Sequence, residues 1–247
     1  MDLGLQGKVF LVTGGSRGLG RACAQVLVDE GAHVVVSART AADVEQAANE
    51  LGCTGVAADL ADSQTAYRLV DAAVSAYGRL DGALISVGGP PPGSALGLTD
   101  EQWRSAFDSV FLGAVRLSRA VVDALPDEGG ALAFVLSSSV KAPIAGLAAS
   151  NGLRPGLAML AKTMADELGA QGVRVNGLMP GRVRTDRITE LDGGDPEVEQ
   201  RIAATIPLRR YGDPAEFGRV AAFLLSPAAS YVTGAMVPVD GGAVRSL

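Results

Sequence analysis

The chain has 247 residues, 48% hydrophobic and 19% charged, with 27 acidic side chains against 21 basic for a net charge of -6. That composition excludes a disordered chain, which is poor in apolar residues and rich in charge. The acidic balance, with no run of Lys/Arg longer than two, argues against a nucleic-acid partner. Two cysteines, Cys23 and Cys53, are too few for a disulfide scaffold and fit a reduced, cytoplasmic protein. The first residues carry no signal-peptide pattern, and no apolar run reaches the ~18 residues of a membrane span.

In chain order, Val9-Phe10-Leu11-Val12 reads as a strand, followed by a glycine-rich turn and a helix near 18–30. Residues 33–37 form a second strand, 41–51 a helix, 55–58 a short strand and 62–77 another helix. A fourth strand covers 82–86, and Thr99-Asp100-Glu101 caps a long helix reaching about Leu125. A fifth strand at 132–136, a helix near 149–169, a strand at 173–176, a helix over 214–225 and a last strand near 236–239 complete the pattern. Residues 186–212 are polar and punctuated by Gly and Pro. Apolar strands without polar alternation are buried on both faces. Their alternation with helices predicts parallel crossovers, hence a doubly wound (Rossmann) parallel α/β sheet with helices on both faces. No linker or repeat interrupts it, so residues 1–247 read as one domain.

The 32 glycines cluster at strand-to-helix turns. Thr13-Gly14-Gly15-Ser16-Arg17-Gly18-Leu19-Gly20 lies between the first strand and first helix, where a bare backbone and a helix N-terminus accept a pyrophosphate. An acid closing the second strand would bind a ribose 2′-hydroxyl. Here the strand closes on Ser37-Ala38-Arg39-Thr40, with no acid from Ala32 to Ala42. Arg39, with Arg17 in the glycine turn, suits a 2′-phosphate, so the expected cofactor is NADP(H). The structural alternative is that both arginines are solvated surface.

These motifs resemble the short-chain dehydrogenase/reductase family over nearly the whole chain, and its acyl-carrier-protein ketoreductase-like members most. TGGSRGLG (Gly14, Ser16, Arg17, Gly18, Leu19, Gly20) is similar to the family's TGxxxGxG, and Asp59-Leu60 to the pair that holds the adenine. Asp81 to Gly88, including Ser86, resembles D-x-L-V-N-N-A-G. Arg174-Val175-Asn176 and Pro180-Gly181-Arg182-Val183-Arg184-Thr185 resemble the segments beside the nicotinamide. Thr233-Gly234 and Val239 to Gly242 resemble the closing strand.

The resemblance implies an Asn-Ser-Tyr-Lys tetrad, and three of its four positions differ here. Val110 stands in the Asn slot of a W-x6-N-x2-G helix starting at Trp103, while Ser139, in Ser138-Ser139-Val140, fills the serine slot. Counting back from Ala161-Lys162, the Y-x3-K slots fall on Ser150 and Arg154. No tyrosine lies between Tyr77 and Tyr211, so no shift of register restores one. A serine hydroxyl is a poor general acid near neutral pH, and arginine stays charged there. The expectation is therefore a retained cofactor site with rewritten proton chemistry. In it Ser139 hydrogen-bonds the reacting oxygen, Arg154 supplies fixed charge, and Ser150 or water carries the proton.

Structural alternatives stand beside each assignment. Ser139 merely ends a strand, Arg154 caps or pairs on a helix face, and Lys141 is a solvated loop residue. His33 starts its strand away from the cofactor end, and with Cys23 and Cys53 separated no zinc site has its ligands. Asp192, Asp195, Glu197 and Glu199 read as a solvated face, not a metal site. In the family, a segment such as 186–212 covers the substrate; Asp192-Gly193-Gly194-Asp195-Pro196 is turn chemistry that predicts mobility. Pro90-Pro91-Pro92 forms a stiff rim to the same crevice.

The expected function is an atypical NADP(H)-dependent oxidoreductase acting on a small carbonyl, alcohol, imine or enone, and the resemblance implies a homodimer or homotetramer. The alternatives are a non-redox cyclase, isomerase or dehydratase on the same scaffold, or a catalytically silent NADP(H)-binding protein.

Overall fold

A computed structural model describes residues 2–246. Its seven strands are β1 (Val9–Thr13), β2 (His33–Ala38), β3 (Thr54–Ala57), β4 (Gly82–Ile85), β5 (Gly130–Val135), β6 (Val173–Pro180) and β7 (Met236–Val239). They form one parallel sheet in the order β3-β2-β1-β4-β5-β6-β7. The expected doubly wound α/β architecture is what the chain adopts. Alternate residues of a strand point to opposite faces, so β1 sends Val9 and Leu11 into one core and Phe10 and Val12 into the other.

The first core is covered by α3 (Thr65–Tyr77), by α4 (Asp100–Ala106) continuing into α5 (Gly113–Ala124), and by α6 (Ala148–Leu168). The second is covered by α1 (Gly18–Asp29), α2 (Ala41–Leu51) and α9 (Pro214–Leu225). Two further short helices, α7 (Asp186–Leu191) and α8 (Pro196–Ala203), lie in the segment that follows β6.

The structure departs from the sequence reading in particular places. The strand expected at 173–176 runs on to Pro180, paired with β7 from Gly177 to Pro180. The long helix does start at Thr99, whose hydroxyl accepts from the Gln102 amide while the Gln102 side chain accepts from the Thr99 amide. Its middle, Phe107–Leu112, is wound as a π-helix. The polar segment 186–212 holds two short helices, capped by the Thr185 hydroxyl on Ile188 N–H and by the Asp195 carboxylate on Glu197 N–H.

Asp192 corrects the solvated-face reading: its carboxylate is 7% exposed, accepting from Arg182 Nη1 at 2.7 Å and from the Tyr211 hydroxyl at 2.7 Å. The Tyr211 ring is itself buried, and burial, then the bond to Asp192 and its charge, push the hydroxyl up to about 12. This buried link ties the end of α7 to the chain on both sides. Arg174 and Asn176 brace the edge strand: Arg174 donates to the carbonyls of Leu224, Leu225 and Ser226, and Asn176 bonds Val232 and Ala235.

His33 lies at the start of β2, stacked on Tyr77 at 4.7 Å. Burial pushes the Cys23 thiol up to about 12 and that of Cys53 to about 11, so both are neutral thiols near pH 7. Among the described residues, no three His, Cys, Asp or Glu side chains gather into a metal-holding group, and no helix is long and apolar enough to cross a membrane.

Candidate active site

The strand order reverses between β1 and β4, and the crevice of an open α/β sheet lies at the carboxyl ends of the strands around that reversal. The Thr13 hydroxyl closes its floor, donating to the Ser86 carbonyl at 3.0 Å and accepting from the Ser86 amide at 2.8 Å. The chain then turns through Gly14 (φ 61°) and Gly18 (φ 56°), a left-handed conformation costly for any other residue. Gly20 is glycine for a second reason: a Cβ there would stand 2.2 Å from the Gly14 carbonyl oxygen. Helix α1 starts here without a side-chain cap and without an acid in its first turn, so its leading N–H groups and positive dipole end stay available.

The sequence-predicted cofactor residues divide into a floor and a rim. On the floor, a Cβ on Gly14 would come within 3.0 Å of the Ser86 hydroxyl, and one on Gly18 within 3.4 Å of the Thr185 methyl. Ser16 and Leu19 are half-buried beside them. Pro180 ends β6, the Gly181 amide donates to the Val239 carbonyl, and Val183 is buried next to the Gly212 strand bridge. On the rim, Arg39 and Arg17 are exposed, the latter 4.0 Å from Asp186. Asp59 is exposed, its carboxylate accepting from the Ala61 amide, and Leu60 packs on Gly113 of α5. A glycine turn with no space for a side chain at Gly20, an uncapped helix start and two exposed guanidinium groups fit a phosphorylated dinucleotide.

The other half of the crevice lies between β5 and α6. Ser139 follows β5 in a short 3-10 turn, its amide donating to the Ser137 hydroxyl. Ser150 sits in the first turn of α6. The fold brings the two hydroxyls to 3.3 Å, both side chains buried. Arg154 lies one helical turn beyond Ser150, on the same face of α6. Its guanidinium is turned onto the main chain: Nη1 donates to the Val135 and Leu136 carbonyls at 2.6 and 3.1 Å, and Nη2 to the Gly88 carbonyl at 2.6 Å. Arg154 thus stitches the end of β5 to the loop after β4. Burial, then the neighbouring Arg187 charge, lower it to about 10, which leaves it cationic at neutral pH. Val110, in the π-helical turn, is 1% exposed and belongs to the apolar core, so no amide reaches the site from that helix.

Three residues escaped the sequence reading. Asn151 clamps the loop before α6, its side chain donating to the Ile144 carbonyl and accepting from the Ile144 amide. Pro155, inside α6, brings no N–H to the helix ladder. Arg187, on α7, donates to the Pro90 carbonyl at 3.3 Å across the crevice mouth. The first two have no sequence signal beyond their residue types. The third is one of four arginines crowded into 182–187 and 201, a density that marks this segment as charged without saying which side chain turns inward.

A pair of buried hydroxyls beside a permanent cation can hold an oxygen by hydrogen bonding and stabilise negative charge growing on it. Neither group is acidic enough to give up a proton unaided at neutral pH.

From residue 14 to 244 the chain matches the sequence family described as enoyl-(acyl carrier protein) reductase. Fold, glycine elbow and this match define the class: the chain belongs to the short-chain dehydrogenase/reductase family of oxidoreductases. In particular it is similar to Dehydrogenase/reductase SDR family member 4 of Homo sapiens, 35% identical over 246 residues that cover 96% of this chain and 88% of the relative. Among solved structures it is similar to L-sorbose reductase from Gluconobacter frateurii complexed with NADPH and L-sorbose, at 31% identity and a TM-score of 0.93 over 100% of both chains. It is also similar to a short-chain type dehydrogenase/reductase from Mycobacterium ulcerans, at 30% identity and a TM-score of 0.90 over 96% of this chain and 90% of that one.

Proposed function

We propose that the chain is an NADP(H)-dependent oxidoreductase of small carbonyl compounds whose proton chemistry runs on hydroxyls and water instead of a tyrosine–lysine pair. The observation that carries this reading is the buried 3.3 Å contact of Ser139 and Ser150 beside Arg154, on the crevice side opposite a glycine elbow built for a dinucleotide. The cofactor would be held by Gly14, Ser16, Gly18, Leu19 and Gly20 at its diphosphate, by Arg17 and Arg39 at its 2′-phosphate, and by Asp59 and Leu60 at its adenine. Ser86, Gly88, Pro180, Gly181, Val183 and Thr185 would frame its nicotinamide end. When bound, it supplies the hydride that reduces the carbonyl carbon.

The chain's own residues do the rest. Ser139 donates a hydrogen bond to the substrate oxygen, with Ser150 orienting the Ser139 hydroxyl and passing a proton from water to the alkoxide. Arg154 acts through its field and as a positioning residue, since its charge favours the oxyanion while its three bonds fix the strand end and the Gly88 carbonyl. The NADPH complex of the L-sorbose reductase relative supports the cofactor assignment. Residues 186–212, with α7 and α8, would cover the substrate. The same reading makes the protein a cytoplasmic homodimer or homotetramer.

The test is loss of the NADPH absorbance band with a panel of ketones, imines and enones, run on the wild type and on Ser139→Ala and Ser150→Ala. The expected result is turnover in the wild type that falls about a hundredfold in Ser139→Ala, the cost of removing one preorganised donor. NADPH binding without turnover of any substrate would instead favour a non-redox enzyme or a silent binder.

A further inference from the structure

Two guanidinium groups face the same short stretch of main chain at the crevice mouth. Arg154 reaches it from α6 through the Gly88 carbonyl. Arg187 reaches it from α7, donating to the Pro90 carbonyl at 3.3 Å, its guanidinium lying so close over Gly89 that an added Cβ would stand 3.2 Å from its Nε. The two are near enough that the charge of Arg187 depresses the protonation of Arg154. Among the described residues no carboxylate comes within 4.0 Å of either, although the neighbouring arginines 17, 182 and 184 all have acidic partners.

Like charges brought together in a partly desolvated site repel, and an anion between them would turn that repulsion into two favourable contacts. A guanidinium has five N–H donors. Arg154 spends three of the bonds available to it on carbonyls, whereas Arg187 spends one long bond. The remaining donors of Arg187 sit on α7, in the segment proposed above to cover the substrate, at the same loop that Arg154, one turn from Ser150, bonds at Gly88.

Resting on the reductase reading above, we propose that Arg187, with the Arg154 charge behind it, binds an anionic group on the substrate. The substrate class is then carbonyl compounds that also carry a carboxylate (oxo acids), rather than neutral ketones or sugars. Arg187 is the specificity-determining residue. It binds the carboxylate while the Ser139–Ser150 pair binds the carbonyl oxygen, so one substrate spans both contacts.

The experiment compares benzoylformate and 2-oxohexanoate with their methyl esters, which keep the carbonyl and lose the charge. Binding of the acids and esters is read by calorimetry on the full chain, alone and with saturating NADP+, which cannot reduce them, and NADPH is titrated separately, for the wild type, Arg187→Leu and Arg187→Lys. A charge-assisted contact predicts that the wild type binds acid over ester by about ten- to a hundredfold. That ratio falls towards one in Arg187→Leu and recovers in part in Arg187→Lys, while NADPH affinity changes less than about twofold, well short of the tenfold that a lost ionic contact brings. Equal binding of acid and ester by the wild type overturns the proposal. So does an unchanged ratio in Arg187→Leu; if NADPH binding weakens in that variant as well, the anion held by Arg187 is the cofactor's own diphosphate. If NADPH does not bind but the acids do, and Arg187→Leu abolishes that binding, the anion site stands and the reductase reading falls. If neither binds, both fall.

Discussion

The two halves of the crevice use different materials. On the side of β1 and α1, the site is made of backbone: left-handed turns, a helix start and a glycine that leaves no space for a methyl group. On the side of β5 and α6, it is made of side chains: two buried serines and an arginine. A backbone cradle fails when one of its constrained glycines is replaced, whatever the side chains between them. A side-chain constellation can be exchanged one member at a time while the fold stands, and here Arg154 has become part of what holds the fold together.

The largest expected effect breaks that second half. Arg154→Met leaves the carbonyls of Val135, Leu136 and Gly88 without their buried donor, and should cost about 3–5 kcal/mol in urea unfolding, with Arg154→Lys recovering part. A loss under about 0.5 kcal/mol, the usual range for surface changes, would show that the guanidinium is not structural. Gly20→Ala attacks the first half: its methyl meets the Gly14 carbonyl, costing about 1–3 kcal/mol and weakening NADPH by about tenfold or more in a fluorescence titration. Arg39→Gln should leave the fold intact and weaken NADPH by about threefold to fivefold while leaving NADH within about twofold, as expected for losing one of two charges on a phosphate.

A smaller effect belongs to the segment over both halves. Tyr211→Phe removes one of two donors to the buried Asp192, at about 1–2 kcal/mol. The sign of the pH effect follows from the raised value. Relative to about 10 in an unfolded chain, a hydroxyl at about 12 gives stability that is complete below pH 10 and is lost as pH rises through 12. Phenolate absorbance should therefore show one late-titrating tyrosine, absent in Tyr211→Phe.

The fold was legible where its signals are local. Apolar runs bounded by glycine gave the strands, and Thr99 before Asp100 and Glu101 gave the helix start, to which the structure adds Gln102. The two helices of 186–212 were not legible, because α7 and α8 have 6 and 8 residues, too short for a period of 3.6 to show. Asp192 looked solvated because the groups that bury it, Arg182 and Tyr211, lie 10 and 19 residues away along the chain. The serine pair was legible as two family slots. The engagement of Arg154 was not, since its partners are carbonyls, which every residue carries.

The proposed function requires that the crevice bind NADPH although serines and an arginine stand where the family's pattern has its proton donors. Parallel fluorescence titrations of the wild-type chain with NADPH and NADH test this most directly. The prediction is saturable binding of both, with NADPH tighter by about tenfold, the contribution of the phosphate held by Arg17 and Arg39. No saturable binding of NADPH, or equal or tighter binding of NADH, would contradict it.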